Sequence, residues 1–193
     1  MKNLANFLFE VGMLKRTPRT GFQFLGSGAE SVAEHIFRTS LIGYTLAQMD
    51  GEADVGKVVM LCLFHDIPEA RTGDLNYVNK KYCQVDERKA IEDLAKTLPF
   101  GDDYRDIQNE FLAGQSREAL IAHDADQLEM ILALKEYKDL GNRYADEWYP
   151  VTIKRLQTDA ARQLAETIWM TDSTRWWFDD DREWWIKGEK REV

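Results

Sequence analysis

The sequence predicts an all-α protein, and three features support this class. Apolar residues recur mostly at spacings of three and four, which is the period of one helix face. Only four prolines occur in 193 residues. Alternating runs rich in Val, Ile and Thr, which are typical of half-buried strands, are scarce. The length suits one domain with a substantial core and is rather short for two.

The first two predicted helices are separated by a loop. Helical spacing of apolar residues predicts a helix over roughly residues 4–15, and Pro18 prevents its continuation. Ser31 and Glu34 form a capping-box pattern, in which each side chain can bond to the backbone of the other residue. We therefore expect a second helix to begin here and to run to about Met49.

The third predicted helix is the most apolar part of the chain. It spans about residues 53–65 and is apolar nearly all round, which indicates a central buried helix. Pro68 and Gly73 predict irregular backbone directly after it. Helical spacing then resumes four more times, over about residues 86–98, 103–113, 116–140 and 145–170.

The last stretch, residues 171–193, differs in composition from the rest. We interpret it as a Trp-rich C-terminal extension that packs on the main domain, residues 1–170, or on a second subunit. An acidic run at residues 179–181 lies between two pairs of tryptophans, which are Trp176, Trp177, Trp184 and Trp185.

Charge and cysteine content exclude several classes of protein. The net charge of -9 and the isoelectric point near 4.9 argue against a protein whose main partner is nucleic acid. Two cysteines without a CxxC pair fit a reducing cytoplasm and exclude a disulfide framework.

The N-terminal segment has charges inside its apolar stretch, so it is not a convincing signal peptide. No apolar run approaches ~18 residues, so we expect no membrane span.

The chemistry is concentrated at the end of the apolar helix. Of three histidines in the chain, His65 lies there beside Asp66, and Glu69 and Asp74 follow shortly. Imidazole and carboxylate groups at the end of an apolar helix cost free energy unless they are compensated. A metal ion compensates them, since this ligand combination suits Zn, Mn, Fe or Co. The alternative interpretation is a capping cluster without a metal.

Further ligands would have to come from other helices. His35, near the start of the second helix, can supply another imidazole, although a lone histidine there is more often a core residue. The later helix offers Asp124, Asp126 and Glu129 in a segment otherwise rich in apolar residues. Helical periodicity does not choose between the two aspartates, because each shares a face with apolar neighbours.

The order of His35, His65-Asp66 and a late aspartate resembles the H…HD…D signature of the HD-domain superfamily of metal-dependent phosphohydrolases. Finer matches resemble its 5′-deoxynucleotidase branch, whose members remove phosphate from deoxyribonucleoside 5′-monophosphates. The matching segments lie in family order within roughly residues 4–140, and they are LKRTPRTGF (14–22), SVAEH (31–35), HDIPEARTGD (65–74) and DADQLEM (124–130). The resemblance implies a single compact HD-domain helical bundle.

The same resemblance implies one divalent metal ion held by His35, His65, Asp66 and Asp126. The family aligns its metal aspartate with the first residue of DQLEM, so Asp126 is preferred over Asp124 by analogy alone. Ligands of these types permit Mn, Co, Fe, Zn or Mg.

The resemblance also implies substrate-site residues. Glu69 and Asp74 match carboxylates used around the attacking water and the sugar. Arg16 matches an arginine that contacts the phosphate, and Glu110 falls near another family carboxylate. Thr17 stands where the family has a substrate-site aromatic residue, which leaves the nucleoside preference open.

We therefore expect a metal-dependent phosphohydrolase that acts on (deoxy)ribonucleoside 5′-monophosphates through attack of a metal-activated water. One alternative is an HD phosphohydrolase that acts on a cyclic or hyperphosphorylated nucleotide. Another is a non-catalytic nucleotide-binding module. The expected partners are a small nucleotide substrate and a second copy of the chain in a homodimer, without nucleic acid or membrane.

Overall fold

The computed structural model describes residues 1–177, 185, 186 and 188. Within these residues no strand forms, and the all-α prediction is confirmed. The α-helices in chain order are α1 (Lys2–Val11), α2 (Phe22–Leu25), α3 (Val32–Asp50), α4 (Val55–Phe64), α5 (Glu69–Thr72), α6 (Glu87–Ala95), α7 (Gly101–Ala113), α8 (Arg117–Asp139), α9 (Ala145–Thr152) and α10 (Asp159–Met170). Three 3-10 turns join them at Gly12–Lys15, Asn79–Lys81 and Ile153–Arg155.

Helices α3, α4 and α8 pack against one another at the centre of the domain. Their shared core includes Leu46, Leu61 and Leu128, each almost completely buried. Gly43 lets α3 approach α4 closely, since a Cβ at this position would lie 2.6 Å from Cys62 Sγ. This packing fixes the three helices that carry the predicted metal ligands.

The capping box predicted at the start of α3 is confirmed. Glu34 N donates to Ser31 Oγ at 3.2 Å, and Ser31 N donates to Glu34 Oε2 at 2.7 Å. These bonds satisfy backbone N–H groups that the first helical turn leaves without partners. They also fix where α3 begins, one turn before His35.

The apolar helix α4 ends at Phe64, and the backbone then tightens into turns. Ile67 N donates to Phe64 O at 3.1 Å, and Glu69 N donates to Asp66 O at 3.0 Å. These bonds span three residues, whereas a regular α-helix spans four. The irregular backbone predicted from Pro68 and Gly73 directly after this helix is therefore present.

The single helix expected over residues 145–170 is wrong, because two helices occupy this range. Helix α9 ends at Thr152 and is followed by a 3-10 turn, and α10 begins only after Thr158. Pro150 lies inside α9, where it lacks the N–H that a continuing helix needs. The Thr158 hydroxyl then caps α10 by accepting from Ala161 N at 3.2 Å.

Asp124 anchors the start of α10. Its carboxylate is fully buried and accepts from Gln157 N at 2.7 Å, from Thr158 N at 2.8 Å and from Thr158 Oγ1 at 2.7 Å. A buried carboxylate with these partners satisfies backbone groups that would otherwise lack acceptors. Asp124, one of the two aspartates between which helical periodicity did not choose, therefore has a structural role.

Part of the predicted C-terminal extension lies outside the described residues, including Trp184 and the acidic run at 179–181. Among the described residues, Trp177 and Trp185 meet edge to face with ring centroids 5.8 Å apart. Ser173 N donates to Asp139 Oδ2 at 2.8 Å, which ties the segment after α10 to the end of α8. The division into 1–170 and 171–193 stays a prediction. No described helix is both long and apolar enough to cross a bilayer.

Replacing Asp124 with Ala should lower the free energy of unfolding by about 2–4 kcal/mol, because buried N–H groups at the start of α10 lose their acceptor. Urea unfolding followed by circular dichroism measures this loss. The matched control is Asp159→Ala, which removes an exposed carboxylate from the first turn of α10. Equal losses in the two variants would contradict the anchoring role.

Candidate metal centre

Three helical elements bring two histidines and an aspartate together. His35 comes from α3 and His65 follows α4, yet their Nε2 atoms lie 3.3 Å apart. His35 Nε2 also lies 3.2 Å from Asp126 Oδ1, which α8 supplies. Both imidazoles are almost completely buried. These three residues place ligand atoms close enough to share one metal ion.

Asp66 completes the cluster from the tight turn after α4. Its Oδ2 atom lies 3.2 Å from His65 Nε2 and 3.5 Å from His35 Nε2. The structure therefore brings all four predicted ligand side chains together. Lone pairs of two imidazoles and two carboxylates repel one another at these distances unless a proton or a cation lies among them.

Hydrogen bonds on the far side of each ring orient the imidazoles. His65 Nδ1 lies 2.7 Å from Cys62 O, and a carbonyl can only accept, so this nitrogen carries the proton. His35 Nδ1 likewise lies 2.9 Å from Glu129 Oε2. Each ring thereby presents Nε2 to the cluster. Histidines that bind a metal are commonly oriented in this way, by a hydrogen bond from the ring nitrogen that faces away from the ion.

Glu129 supports the cluster from α8 through its contact with His35, a role that the sequence pattern did not predict. It is fully buried, and its Oε1 accepts from Arg38 Nε at 2.9 Å and from Arg38 Nη2 at 2.5 Å. Burial opposes ionisation, but His35 and Arg38 outweigh it and lower the pKa of Glu129 to about 2. The sequence signal is its position three residues after Asp126, on the same face of α8.

The charges within the cluster shift the pKa values of its members. Burial alone would lower the pKa of His35, but hydrogen bonds with Asp126 and Glu129 outweigh it and raise the pKa to about 10. Burial opposes ionisation of Asp126, yet His35 and His65 hold its pKa well below the usual range. The site thus favours positive charge among its donors, and two imidazole nitrogens with two carboxylates suit a divalent transition metal.

Glu30, His35 and Glu129 form a second group of side chains close enough to share a cation. Glu129 is already bonded to Arg38 on one oxygen and to His35 on the other. Arg38 also lies 3.7 Å from Glu30 Oε1. A guanidinium therefore already supplies positive charge to this second group.

A cavity of about 470 Å³ opens beside the cluster. Asp66 and Asp126 line it, together with Arg19 and the carboxylates of Glu69 and Asp74. Lys80, Glu147 and Arg155 also line the cavity, so charged groups of both signs face it. A substrate in this cavity would meet the cluster directly.

Glu69 lines the same cavity as Asp66 and Asp126. Its Oε2 atom is buried and has no hydrogen-bond partner among the described residues. Burial raises the pKa of Glu69 to about 9, and the neighbouring charges of Asp66 and Asp74 act in the same direction. Arg19 and His35 act in the opposite direction but do not outweigh burial.

Asp74 holds two segments of the cavity wall together. Its Oδ2 atom accepts from Thr20 N at 2.7 Å, and Thr20 Oγ1 donates to Asp74 O at 3.1 Å. Gly73 precedes it with φ 71° and ψ 159°, a conformation that is essentially restricted to glycine. This turn brings Asp74 against the loop that carries Arg19.

Arg19 is the cation of this loop that faces the cluster. Its side chain is only 12% exposed, and its Nη1 lies 3.5 Å from Asp66 Oδ2. Burial works against the charge, but Asp126 and Asp66 outweigh it and raise the pKa of the guanidinium. Arg19 N donates to Glu30 O at 2.8 Å, which pins the loop beside the start of α3. The sequence analysis did not assign this residue a role.

Arg16 and Glu110 do not line the cavity. Arg16 is exposed at the end of the 3-10 turn that follows α1. Glu110 pairs with Lys57 Nζ at 2.8 Å and accepts from Ser116 Oγ at 2.5 Å, where Ser116 is the N-cap of α8. The structure therefore does not bring these two predicted substrate-binding residues to the metal centre.

The helical bundle and its cluster of two histidines and two aspartates define a protein of the HD-domain type. The family model described as HD domain matches residues 11–169, and the chain belongs to this family. The resemblance found in the sequence is thereby confirmed. The 5′-deoxynucleotidase HDDC2 of Bos taurus is 33% identical over 148 residues, which cover 74% of this chain and 71% of the relative.

Solved structures show the same fold. The structural-genomics crystal structure APC5600 has a TM-score of 0.74 and 33% sequence identity, and the match covers 92% of this chain and 99% of that chain. The PH0347 protein from Pyrococcus horikoshii OT3 has a TM-score of 0.70 and 27% identity over 86% of this chain and 98% of its own. The HD-domain fold therefore extends over most of the chain.

Glu129→Gln should weaken metal binding about 10–100-fold, because His35 loses the charged partner that orients it. Competition with a chromogenic chelator measures the affinity for Mn²⁺, Co²⁺ or Zn²⁺. The control is Glu136→Gln, which alters a more exposed partner of Arg38 at 2.7 Å and leaves His35 untouched. Wild-type affinity in Glu129→Gln would show that this carboxylate does not support the site.

Proposed function

We propose that this protein is a metal-dependent phosphohydrolase that removes phosphate from deoxyribonucleoside 5′-monophosphates. The observation that carries the proposal is the four-residue donor cluster, which lies beside a cavity that also contains Arg19 and Glu69. Relatives named 5′-deoxynucleotidase, such as the bovine protein at 33% identity, support the same reaction and substrate class.

The residues that would hold the metal are His35, His65, Asp66 and Asp126. When bound, a divalent cation of this kind lowers the pKa of water to generate a nucleophile and offsets negative charge on the phosphoryl group. We propose that the native ion is one of Mn, Co, Fe, Zn and Mg. Oxygen and imidazole donors in equal number are compatible with each of them.

Arg19 takes the role of phosphate binding in this proposal, in place of Arg16. A guanidinium presents a planar fork of donors that matches phosphate oxygens. The loop that carries Arg19 is held by Asp74 through Thr20 and by Glu30 through the backbone. This support lets Arg19 meet the phosphate without first being ordered, which reduces the entropic cost of binding.

Glu69 and Asp74 serve the reacting water and the sugar, respectively. With a divalent cation bound at the cluster, Glu69 would ionise more readily, and its Oε2, which has no partner among the described residues, would accept a hydrogen bond from the attacking water. Asp74 Oδ2 is bonded to Thr20, so we assign its other oxygen to a hydroxyl of the deoxyribose. Both carboxylates thus act at the cavity surface.

We also propose that the protein works as a cytoplasmic homodimer. Both cysteines are free, which agrees with a reducing compartment. An exposed apolar stripe on α3, formed by Phe37, Leu41 and Tyr44, supports contact with a second copy.

The proposed reaction is tested by phosphate release from a panel of nucleotides. The metal-loaded protein should hydrolyse deoxyribonucleoside 5′-monophosphates and leave cyclic dinucleotides and hyperphosphorylated nucleotides largely intact. Treatment with a chelator should abolish turnover, and one of the five candidate metals should restore it. Micromolar binding of nucleotides without turnover would instead establish a regulatory module.

The variant Glu69→Gln tests the catalytic role of Glu69 in the same assay. This variant keeps all four metal donors, so its metal content should equal that of the wild type. Its kcat should fall about 10²–10⁴-fold, because the amide cannot polarise the water as a carboxylate does. Full turnover with the metal bound would remove Glu69 from the mechanism.

Arg16 and Arg19 allow a matched test of which arginine binds the phosphate. Arg19→Ala should lower kcat/KM by about 10- to 100-fold, the range expected when hydrogen bonds to a charged group are lost. Arg16→Ala should change it by less than about threefold, because its exposed side chain does not line the cavity. Steady-state kinetics on one 5′-monophosphate compares them, and the reverse order would return the phosphate contact to Arg16.

A further inference from the structure

The cavity is larger than a phosphate site requires. Its volume of about 470 Å³ lies in the range of pockets that enclose whole small molecules. Beyond the charged residues, much of its lining is aromatic or apolar, from Phe22, Phe24, Tyr77, Met130, Trp148 and Val151. Such walls suit the nucleoside part of a nucleotide, because a base presents flat apolar faces.

Asn76 lines the same cavity with its amide held in one orientation. Its Oδ1 atom accepts from Val78 N at 3.1 Å and from Asn79 N at 2.9 Å. Only an oxygen can accept from N–H groups, so the other amide atom is Nδ2, a donor. The turn that begins at Asn76 therefore fixes which atom is left for a ligand.

The Nδ2 atom of Asn76 lacks an acceptor among the described residues. It is buried, and the whole residue is only 6% exposed. A buried donor without an acceptor costs free energy in the folded protein, so a site of this kind calls for an explanation. A substrate acceptor atom entering the cavity would supply the missing bond.

A chain of contacts joins the metal centre to the neighbour of Asn76. Gln127 Nε2 donates to Asp126 Oδ2 at 2.8 Å, and Arg155 Nη1 donates to Gln127 Oε1 at 3.3 Å. The Arg155 guanidinium in turn lies over the Tyr77 ring, 4.5 Å from its centroid. These residues form one wall of the cavity, and Asn76 adjoins Tyr77 at the end of this chain.

We infer that Asn76 is a substrate-binding residue whose Nδ2 donates a hydrogen bond to an acceptor on the nucleoside, either a sugar oxygen or a base atom. The inference rests on the proposed function, because it assigns the part of a nucleoside monophosphate that this wall binds. The phosphate already has Arg19 and the four donor residues in this proposal, whereas Asn76 adjoins Tyr77, whose ring lies against the Arg155 guanidinium in the cavity wall.

The variant Asn76→Asp removes the Nδ2 donor and keeps the acceptor of the side chain. A carboxylate keeps an oxygen for Val78 N and Asn79 N, but it replaces the Nδ2 donor by a second acceptor. For a deoxyribonucleoside 5′-monophosphate, kcat/KM should fall about tenfold, mainly through a higher KM, since the lost bond contributes to binding. For phenyl phosphate, which has no nucleoside, kcat/KM should stay within about twofold of the wild type.

Deoxyribose 5-phosphate then distinguishes the two acceptors. A loss with this substrate equal to that with the nucleotide places the acceptor on the sugar, and an unchanged value places it on the base. Equal losses on phenyl phosphate would overturn the inference, because the effect would then arise at the phosphate or from the added charge. Unchanged kinetics on all three substrates would overturn it as well.

Asn76→Ser controls for charge, because its hydroxyl can accept from the turn N–H groups without adding a carboxylate. It should reproduce the pattern across the three substrates, and circular dichroism checks that both variants fold.

A measurement on the wild-type protein keeps the inference testable without any variant or turnover. In ¹⁵N-labelled protein, the side-chain amide signal of Asn76 should shift when a phosphate-free deoxynucleoside is added and stay unchanged with inorganic phosphate. The reverse pattern would overturn the inference. If the wild type hydrolysed no nucleotide, the proposed function would fail, yet this titration would still report whether Asn76 binds a nucleoside.

Discussion

Everything in this molecule depends on the forced approach of two imidazole nitrogens and two carboxylate groups. His35 Nε2 and His65 Nε2 lie 3.3 Å apart, each with an aspartate oxygen at 3.2 Å. Such lone pairs repel unless a proton or a cation lies among them, and the apolar packing of α3, α4 and α8 holds the four groups in place. Glu129 and Cys62 O complete the arrangement by fixing the proton on each outer ring nitrogen.

Local patterns account for the parts that sequence predicts well. The capping box at Ser31, the all-apolar helix before His65 and the break at Pro68 each follow from a few neighbouring residues. The choice between Asp124 and Asp126 does not, because both lie among apolar neighbours on α8. The tertiary contacts of the two carboxylates differ: Asp124 accepts from backbone N–H groups more than thirty positions away in sequence, whereas Asp126 lies beside His35. Resemblance to a family selected Asp126, and the physical reason needed the tertiary structure.

Dependence on tertiary contacts also explains other differences between the sequence predictions and the structure. Arg16 and Arg19 lie three residues apart in sequence, and the contacts of the Arg19 loop with Asp74 and Glu30 place Arg19, not Arg16, at the cavity. Glu110 falls near a family carboxylate in sequence, yet its partners are Lys57 and the N-cap of α8. The break between α9 and α10 is a different case. Pro150 was visible in the sequence, but the regular apolar spacing on both sides of it suggested one continuous helix.

The amide of Gln127 orients the carboxylate of Asp126. Its Nε2 donates to Asp126 Oδ2 at 2.8 Å, and Oδ1 lies 3.2 Å from His35 Nε2. The carbonyl oxygen of the same amide accepts from Arg155 Nη1 at 3.3 Å in the cavity wall. One oxygen of Asp126 is thus turned towards the imidazoles, and the other is tied through a single amide to the wall of the cavity.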